Sequence, residues 1–336
     1  MTELRARQAA RGGQTDGVGA PARYAPPELE HRAVRVGAGL LERPERGLLH
    51  VTGPDAAAWL QGLVSNDVRL LQQVGDRLQA CQLDARGHMV ADLTLVRLEE
   101  GILVEMDASL LAPLTALWDD LLVMEDAALR DVSEEWKCFS VQGPRAREAA
   151  ADIRFDGMFT VIADHTGSGG LDFYVPADRA VLFWERLADK AQPVGTEVAE
   201  VLRVEAGIPR HLVDTDSSVI PVEAGLEATH ISYTKGCYLG QEIIARLQSR
   251  GHTNRALAGL LLEQMVEPGS LLTLRDEPNR PVGRITSVVH SIALGRPIAL
   301  GYVRHEHRAN GTSLIVPKGD RRVSAEVCGL PFPGAL

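Results

Sequence analysis

The last quarter of the chain restricts the fold most. From about residue 254 the sequence breaks into short apolar runs separated by turn residues: "RALAGLLLE", "SLLTLR", "PVGRITSVVH", "IALGYVR", "SLIVP" and "VSAEVC". Each run is of strand length. Short strands at regular spacing cover their exposed edges by closing on themselves or by stacking in two layers. Residues 254–336 are therefore expected to form a separate, small β-barrel or sandwich.

The texture upstream is different. "GLLHV" (47–51) reads as a strand, followed by "TGPDAAAWLQGLV", a short helix with Pro54 and Asp55 at its start; "SNDV" (65–68) ends it. "DRLQACQLDARGHMVADLTLVRL" (76–98) reads as a hairpin around an Asp-Ala-Arg-Gly turn, "GILVEM" as a further strand, and "ASLLAPLTALWDDLL" (108–122) as a helix. A second pattern of this kind starts near "WKCFSVQGPRAREAAA" (136–151). It runs through "FTVIA" and "LDFYVP" to the helix "DRAVLFWERLADKA", and then to "TEVAEVLRVEAG" (196–207), closed by Gly207 with Pro209 just beyond. The expected class is α+β. Residues 29–253 form two α+β subdomains with a break near 131–136, and residues 254–336 form the barrel. Residues 1–28, rich in Gly, Pro, Arg and Ala and without an apolar core, read as a disordered tail and not as a secretory signal.

Composition removes several function classes. No apolar run approaches the roughly 18–20 residues of a membrane span. Four cysteines without a CxxC pair form no disulfide framework, which points to a reducing, cytoplasmic setting. No His/Cys cluster has zinc-site spacing, so no metal site is expected. A net charge of −10 argues against direct binding of nucleic acid. P-loop, GxGxxG and GxSxG patterns are absent.

Three features carry candidate chemistry. Val198, Val201, Leu202 and Glu205 share one face of the helix 196–207, which places a carboxylate on an apolar stripe. It either pairs with an arginine or solvent at the helix end, or it faces a ligand with two adjacent N–H donors. Asp92 interrupts the strand "MVADLTLV", either on a polar outer face or in a site. "KGCYLGQE" (235–242) brings Lys235 and Cys237 together just before a helix start. Both the lysine and the helix dipole favour a thiolate there; the alternative is a buried structural cysteine. Downstream, Arg246, Arg250, His252 and Arg255 form a basic run, either a solvated helix end or an anion site.

"KGCYLGQE" resembles the signature of the YgfZ family, folate-binding proteins linked to iron–sulphur cluster assembly and repair. "TGPDAAAWLQGLVSNDV", "LDARGHMVADLTLVRL", "SVQGPRA", "RVEAGIPR", "VIPVEAGLE", "PVGRITSVVHS" and "IALGYVR" resemble further segments of that family and of the wider superfamily containing the glycine cleavage aminomethyltransferase. The resemblance implies a GcvT-like ring of three domains around a channel for tetrahydrofolate; the basic run Arg246 to Arg255 is expected to bind the tail of its polyglutamylated form. It implies Asp92 and Glu205 as pterin carboxylates; Asn66, Tyr238, Gln241 and Arg246 are expected on the cofactor as well, and Lys235, Cys237 and Asp92 are expected as the reactive set. It implies iron–sulphur proteins or assembly factors as partners, with Cys237 as a transient cluster contact and an indirect effect on tRNA modification. Two alternatives stand beside this: a folate-dependent aminomethyltransferase, and a non-catalytic folate-binding scaffold.

Overall fold

Strands whose alternate residues are apolar sort their side chains onto two faces, and two such sheets set the centre of this molecule. The computed structural model describes residues 2–15, 19–251, 253–319 and 321–336, Arg250 by its backbone. Helices α1 (Glu3–Ala10) and α2 (Pro27–Val36) lead into β1 (Gly39–Glu42) and β2 (Arg46–Thr52). Then follow α3 (Ala56–Leu63), β3 (Arg77–Leu83), β4 (Met89–Arg97), β5 (Ile102–Asp107), α4 (Ala108–Asp119) and β6 (Ala128–Asp131). The first sheet has the order β3-β4-β5-β2-β6. Its inner face, with Leu78, Ala80, Ala91, Leu93, Leu95 and Val104, packs against Trp59 and Leu60 of α3 and Trp118 of α4. The β3–β4 hairpin turns where expected. Asp84 Oδ1 accepts from the N–H of Arg86 and of His88, and Gly87 takes the left-handed backbone the turn needs.

The second sheet has the order β10-β1-β7-β9-β8. It uses β7 (Trp136–Gln142), β8 (Phe159–Ile162), β9 (Gly170–Pro176) and β10 (Gln192–Pro193), with α5 (Ala146–Ala149) and α6 (Ala180–Ala188) between them. Phe139, Phe173, Phe183 and Trp184 form its core. Strand β1 pairs antiparallel with β7 and parallel with β10. The second module is thus completed by the start of the chain, and Arg43 to Glu45 is the step from one sheet to the other.

The expectation of a disordered tail over 1–28 does not hold for its described residues. Helix α1 packs on α6, Arg5 pairs with Glu42, Arg11 pairs with Asp189, and Gln8 is fully buried. Leu4, Arg5 and Gln8 share one face that is polar by composition but has partners waiting in the second module.

Helix α7 (Thr196–Glu205) leads through the short α8 (Glu227–His230) to α9 (Gln241–Arg250). The remaining chain is a closed barrel in the order β11-β14-β13-β12-β15-β16. Its strands are β11 (Arg255–Leu262), β12 (Leu271–Thr273), β13 (Pro281–Ser291), β14 (Arg296–Arg304), β15 (Ser313–Lys318) and β16 (Arg321–Cys328). Leu260, Leu272, Ile285, Val303, Leu314 and Val327 fill it. Among the described residues, no helix is long and apolar enough to cross a membrane.

Candidate functional site

The second face of the first sheet is turned toward the second sheet. Part of that contact is apolar: Leu48, Val96, Leu103, Cys138, Val161 and Tyr174. The rest is charged and lies where the chain steps between sheets. Arg46 Nε donates to Glu105 Oε1 at 2.6 Å, and Arg43 Nη1 donates to Asp172 Oδ2 at 3.1 Å. The Tyr174 hydroxyl donates to Glu105, and His165 Nε2 lies 2.8 Å from Asp172 Oδ2. Burial pushes the Glu105 carboxyl up, but Arg46 and Arg43 outweigh it and hold it below its ordinary range. The same balance, struck with His165 and Arg43, holds Asp172 anionic. The sequence reading missed this group. Its signal was available: Glu105 in "ILVEM" and Asp172 in "LDFYV" are lone acids inside apolar strands, as Asp92 is in β4.

Asp92 lies on the same face of the first sheet. Register pairs Cys81 with Asp92, Gln79 with Thr94 and Arg77 with Val96, so Arg77, Gln79, Asp92 and Thr94 form one polar strip. Asp92 Oδ1 is 3.1 Å from His230 Nε2, and the Asp92 side chain keeps 29% exposure. Burial pushes the Asp92 carboxyl up; the His230 hydrogen bond and charge, with Arg46 and His211, pull it below its ordinary value. The strip also holds an orphaned donor, the buried Arg77 Nε. The strip thus offers a ligand one carboxylate with an open oxygen and, further along the strand, one unpaired N–H.

Lys235 and its neighbours anchor this region. Lys235 Nζ donates to the carbonyls of Gln61 (2.6 Å), Val64 (2.5 Å) and Asn66 (3.0 Å). Three N–H groups meet three acceptors at the C-terminus of α3, where a cation is favoured. Burial pulls its ammonium down to about 8. Expected as a reactive group, Lys235 is spent on the backbone, with its ammonium on three carbonyls. Asn66 is also spent: its Nδ2 donates to Gln79 O and Thr229 O, and its Oδ1 accepts from Asp67 N. Ser65 Oγ donates to His230 O and accepts from Cys81 N. The segment carrying His230 is thereby fastened to β3.

Glu205 is where the expectation fails most clearly. It is fully buried, as the stripe on α7 implied, but both its oxygens are occupied. Oε2 accepts from Arg35 Nη2 (2.8 Å) and meets His31 Nε2 (2.6 Å); Oε1 accepts from Ser291 Oγ (2.7 Å) and Ala293 N (3.1 Å). Burial pushes this carboxyl up, and these four donors outweigh it and bring it to about 2. Glu205 ties α2, α7 and the barrel together and has no oxygen left for a pterin.

In the signature segment Cys237 is exposed, while the Tyr238 ring is buried under Lys235 with its hydroxyl unpaired. Gln241 opens α9, half-buried, and Gly240 takes a left-handed backbone against Asp84 O. Arg246 pairs with Glu242, and Arg255 with Glu223. These partners already neutralise two members of the expected anion site. His252 and the Arg250 side chain lie outside what the structure describes.

Two sheet modules opposed across a partly apolar, partly charged contact and docked on a closed barrel define a mixed α/β architecture of the glycine cleavage T-protein kind. The comparisons agree. The GCVT N-terminal domain matches residues 1–159, and the glycine cleavage T-protein C-terminal barrel domain matches residues 255–333. The aminomethyltransferase of Rubrobacter xylanophilus is 30% identical, covering 93% of this chain and 87% of the relative. That of Saccharopolyspora erythraea is 28% identical over 93% of this chain and 91% of the relative. The crystal structure of glycine cleavage system aminomethyltransferase T from Bartonella henselae has the same fold. Its TM-score is 0.87 at 22% identity, covering 99% of this chain and 97% of that one. The chain belongs to the glycine cleavage T-protein (aminomethyltransferase) family.

Proposed function

We propose that this protein is a tetrahydrofolate-dependent aminomethyltransferase of the glycine cleavage type, with its reactive centre at Asp92. One observation carries the reading: Asp92 is held as a carboxylate at the solvent-open part of the strip, with one oxygen on His230 and the other without a protein partner among the described residues. Tetrahydrofolate, when bound, supplies the ring amines that receive a one-carbon unit. With it bound, Asp92 Oδ2 would be the oxygen that holds such an amine by a hydrogen bond and serves as its proton acceptor. The His230 hydrogen bond, with Arg46, keeps the carboxylate charged. Arg77, Gln79 and Thr94 offer the polar contacts that orient the ligand, and Lys235 fixes the neighbouring loop. A polyglutamate tail on α9 has to displace Glu242 from Arg246. The test is a glycine cleavage assay with the other components supplied. Wild type supports one-carbon transfer, and Asp92→Asn lowers the rate by about 10²–10⁴-fold, the usual contribution of a positioned acid–base group. Transfer by Asp92→Asn at the wild-type rate rejects the assignment.

A second reading is favoured by Cys237. Its thiol is exposed on a loop that Lys235 holds rigid, a placement suited to thiol chemistry that aminomethyl transfer does not need. In that reading the folate-binding protein supports iron–sulphur proteins, and with them tRNA-modifying enzymes. Failure of Cys237→Ser to restore a cluster-dependent enzyme in cells lacking the protein, with glycine cleavage unaffected, selects it.

A further inference from the structure

We propose that His230 is a positioning residue for Asp92: it donates Nε2–H to Oδ1, is fixed in that tautomer by the Thr229 hydroxyl, and leaves Oδ2 as the ligand-facing oxygen. The inference deepens the reading of Asp92 above and rests on it.

The hydrogen-bond inventory sets the tautomer. An ionised Asp92 only accepts, so His230 Nε2, at 3.1 Å, carries the proton. In the neutral ring Nδ1 then accepts, and the Thr229 hydroxyl lies 2.7 Å from it. That hydroxyl has a second acceptor, Leu226 O, at 3.4 Å. If the ring gains a proton, Nδ1–H donates to Thr229 Oγ and the hydroxyl turns to Leu226 O. Both charge states of the imidazole are thus satisfied without moving the ring. The ring is buried, and Thr229 beside it is exposed.

The frame around the ring is rigid. His230 O accepts from Ser65 Oγ at 2.6 Å, Thr229 O from Asn66 Nδ2 at 2.9 Å, and His230 N donates to Leu226 O at 2.9 Å. Four other titratable or charged groups act on the pair. Arg46 from β2 and His211 from the segment after α7 favour the Asp92 carboxylate. Cys81 faces Asp92 across β3 with its thiol pushed up by burial, and is neutral. Glu105 neutralises Arg46 from β5. His211 donates to Val90 O and accepts from Thr215, and its pKa is lowered by burial. Among these groups His230 is the one in direct hydrogen-bond contact with the Asp92 carboxylate.

The test measures tetrahydrofolate affinity by anaerobic calorimetry. The proteins are wild type, His230→Gln, His230→Ala, Thr229→Val and Asp92→Asn, each checked for folding by circular dichroism. His230→Ala binds about tenfold more weakly than wild type, the usual scale for a lost hydrogen bond to a charged group. His230→Gln, whose amide replaces the Nε2–H donor, rescues the affinity to within about threefold of wild type. Thr229→Val, which removes the hydroxyl on Nδ1, binds more weakly than wild type. A folded His230→Gln protein that has lost about tenfold or more in affinity overturns the inference, even if His230→Ala does not fold; so does a folded His230→Ala protein with wild-type affinity. Asp92→Asn separates the two levels. If it binds with wild-type affinity, the reading of Asp92 fails. If it binds weakly while the His230 variants match wild type, only the role of His230 fails.

Discussion

Among single residues, the signature segment divides its work between a lysine that faces inward and a cysteine that faces outward. Lys235→Met removes three hydrogen bonds and leaves the Gln61, Val64 and Asn66 carbonyls unpaired in a buried place. A loss of about 3 kcal/mol in urea unfolding is expected, since each stranded buried group costs roughly 1–3 kcal/mol and relaxation recovers part. A loss under 1 kcal/mol rejects the anchoring role. Cys237 is the counterpart. Cys81 and Cys138 are buried with thiols pushed up, first by burial, and Cys328 is half-buried with its thiol raised to about 11. Mass spectrometry after brief native alkylation is therefore expected to find the label on Cys237 first. Faster labelling of Cys81 contradicts the structure. The residue types at these positions were legible from the sequence as a rare lysine beside a rare cysteine. Which of the two was chemically available was not, because burial of Lys235 depends on the end of α3, about 170 residues earlier.

Helix α7 shows how an element's period can be read correctly and its purpose misread. Its apolar stripe does place Glu205 in the interior. The partners come from α2 and from the turn after β13, and no local pattern reveals them. Glu205→Ala leaves Arg35 and His31 facing an empty acceptor, and is expected to cost about 3–5 kcal/mol, as breaking a buried ion pair does. The pH sign follows from the carboxyl's depressed value of about 2 in the folded chain. Its stabilisation is present above the ordinary Glu range near 4.5 and is lost as pH falls toward 2. Acid unfolding followed by tryptophan fluorescence should therefore be less steep between these values in Glu205→Gln. An unchanged profile contradicts the clamp. Helix α1 makes a second claim at this scale. Deleting residues 1–12 strands Glu42, which loses both Arg5 and Gln8. The melting temperature should drop by several degrees, where removal of a disordered tail leaves it unchanged.

Across the whole molecule, two sheets share one buried charge network, and the barrel is fastened through α7 to the second module. Arg203 donates to Asp214, which accepts from Thr286 and Ser287 of the barrel. Glu105→Ala leaves Arg43 and Arg46 buried without their shared carboxylate. The expected loss is about 3–5 kcal/mol, together with weaker tetrahydrofolate binding, because Arg46 also supports Asp92. A stable variant with wild-type affinity separates this network from the site.

The sequence by itself determined the run of short C-terminal strands, the β3–β4 hairpin, the stripe on α7 and the oddity of Asp92, because period and turn chemistry act over a few residues. Only the tertiary structure decided that the start of the chain completes the second module, that Glu205 and Lys235 are internal fasteners, and that His230 reaches Asp92. A buried polar group must find its complement wherever the fold brings one, and the identity of that complement lies at long range in the chain.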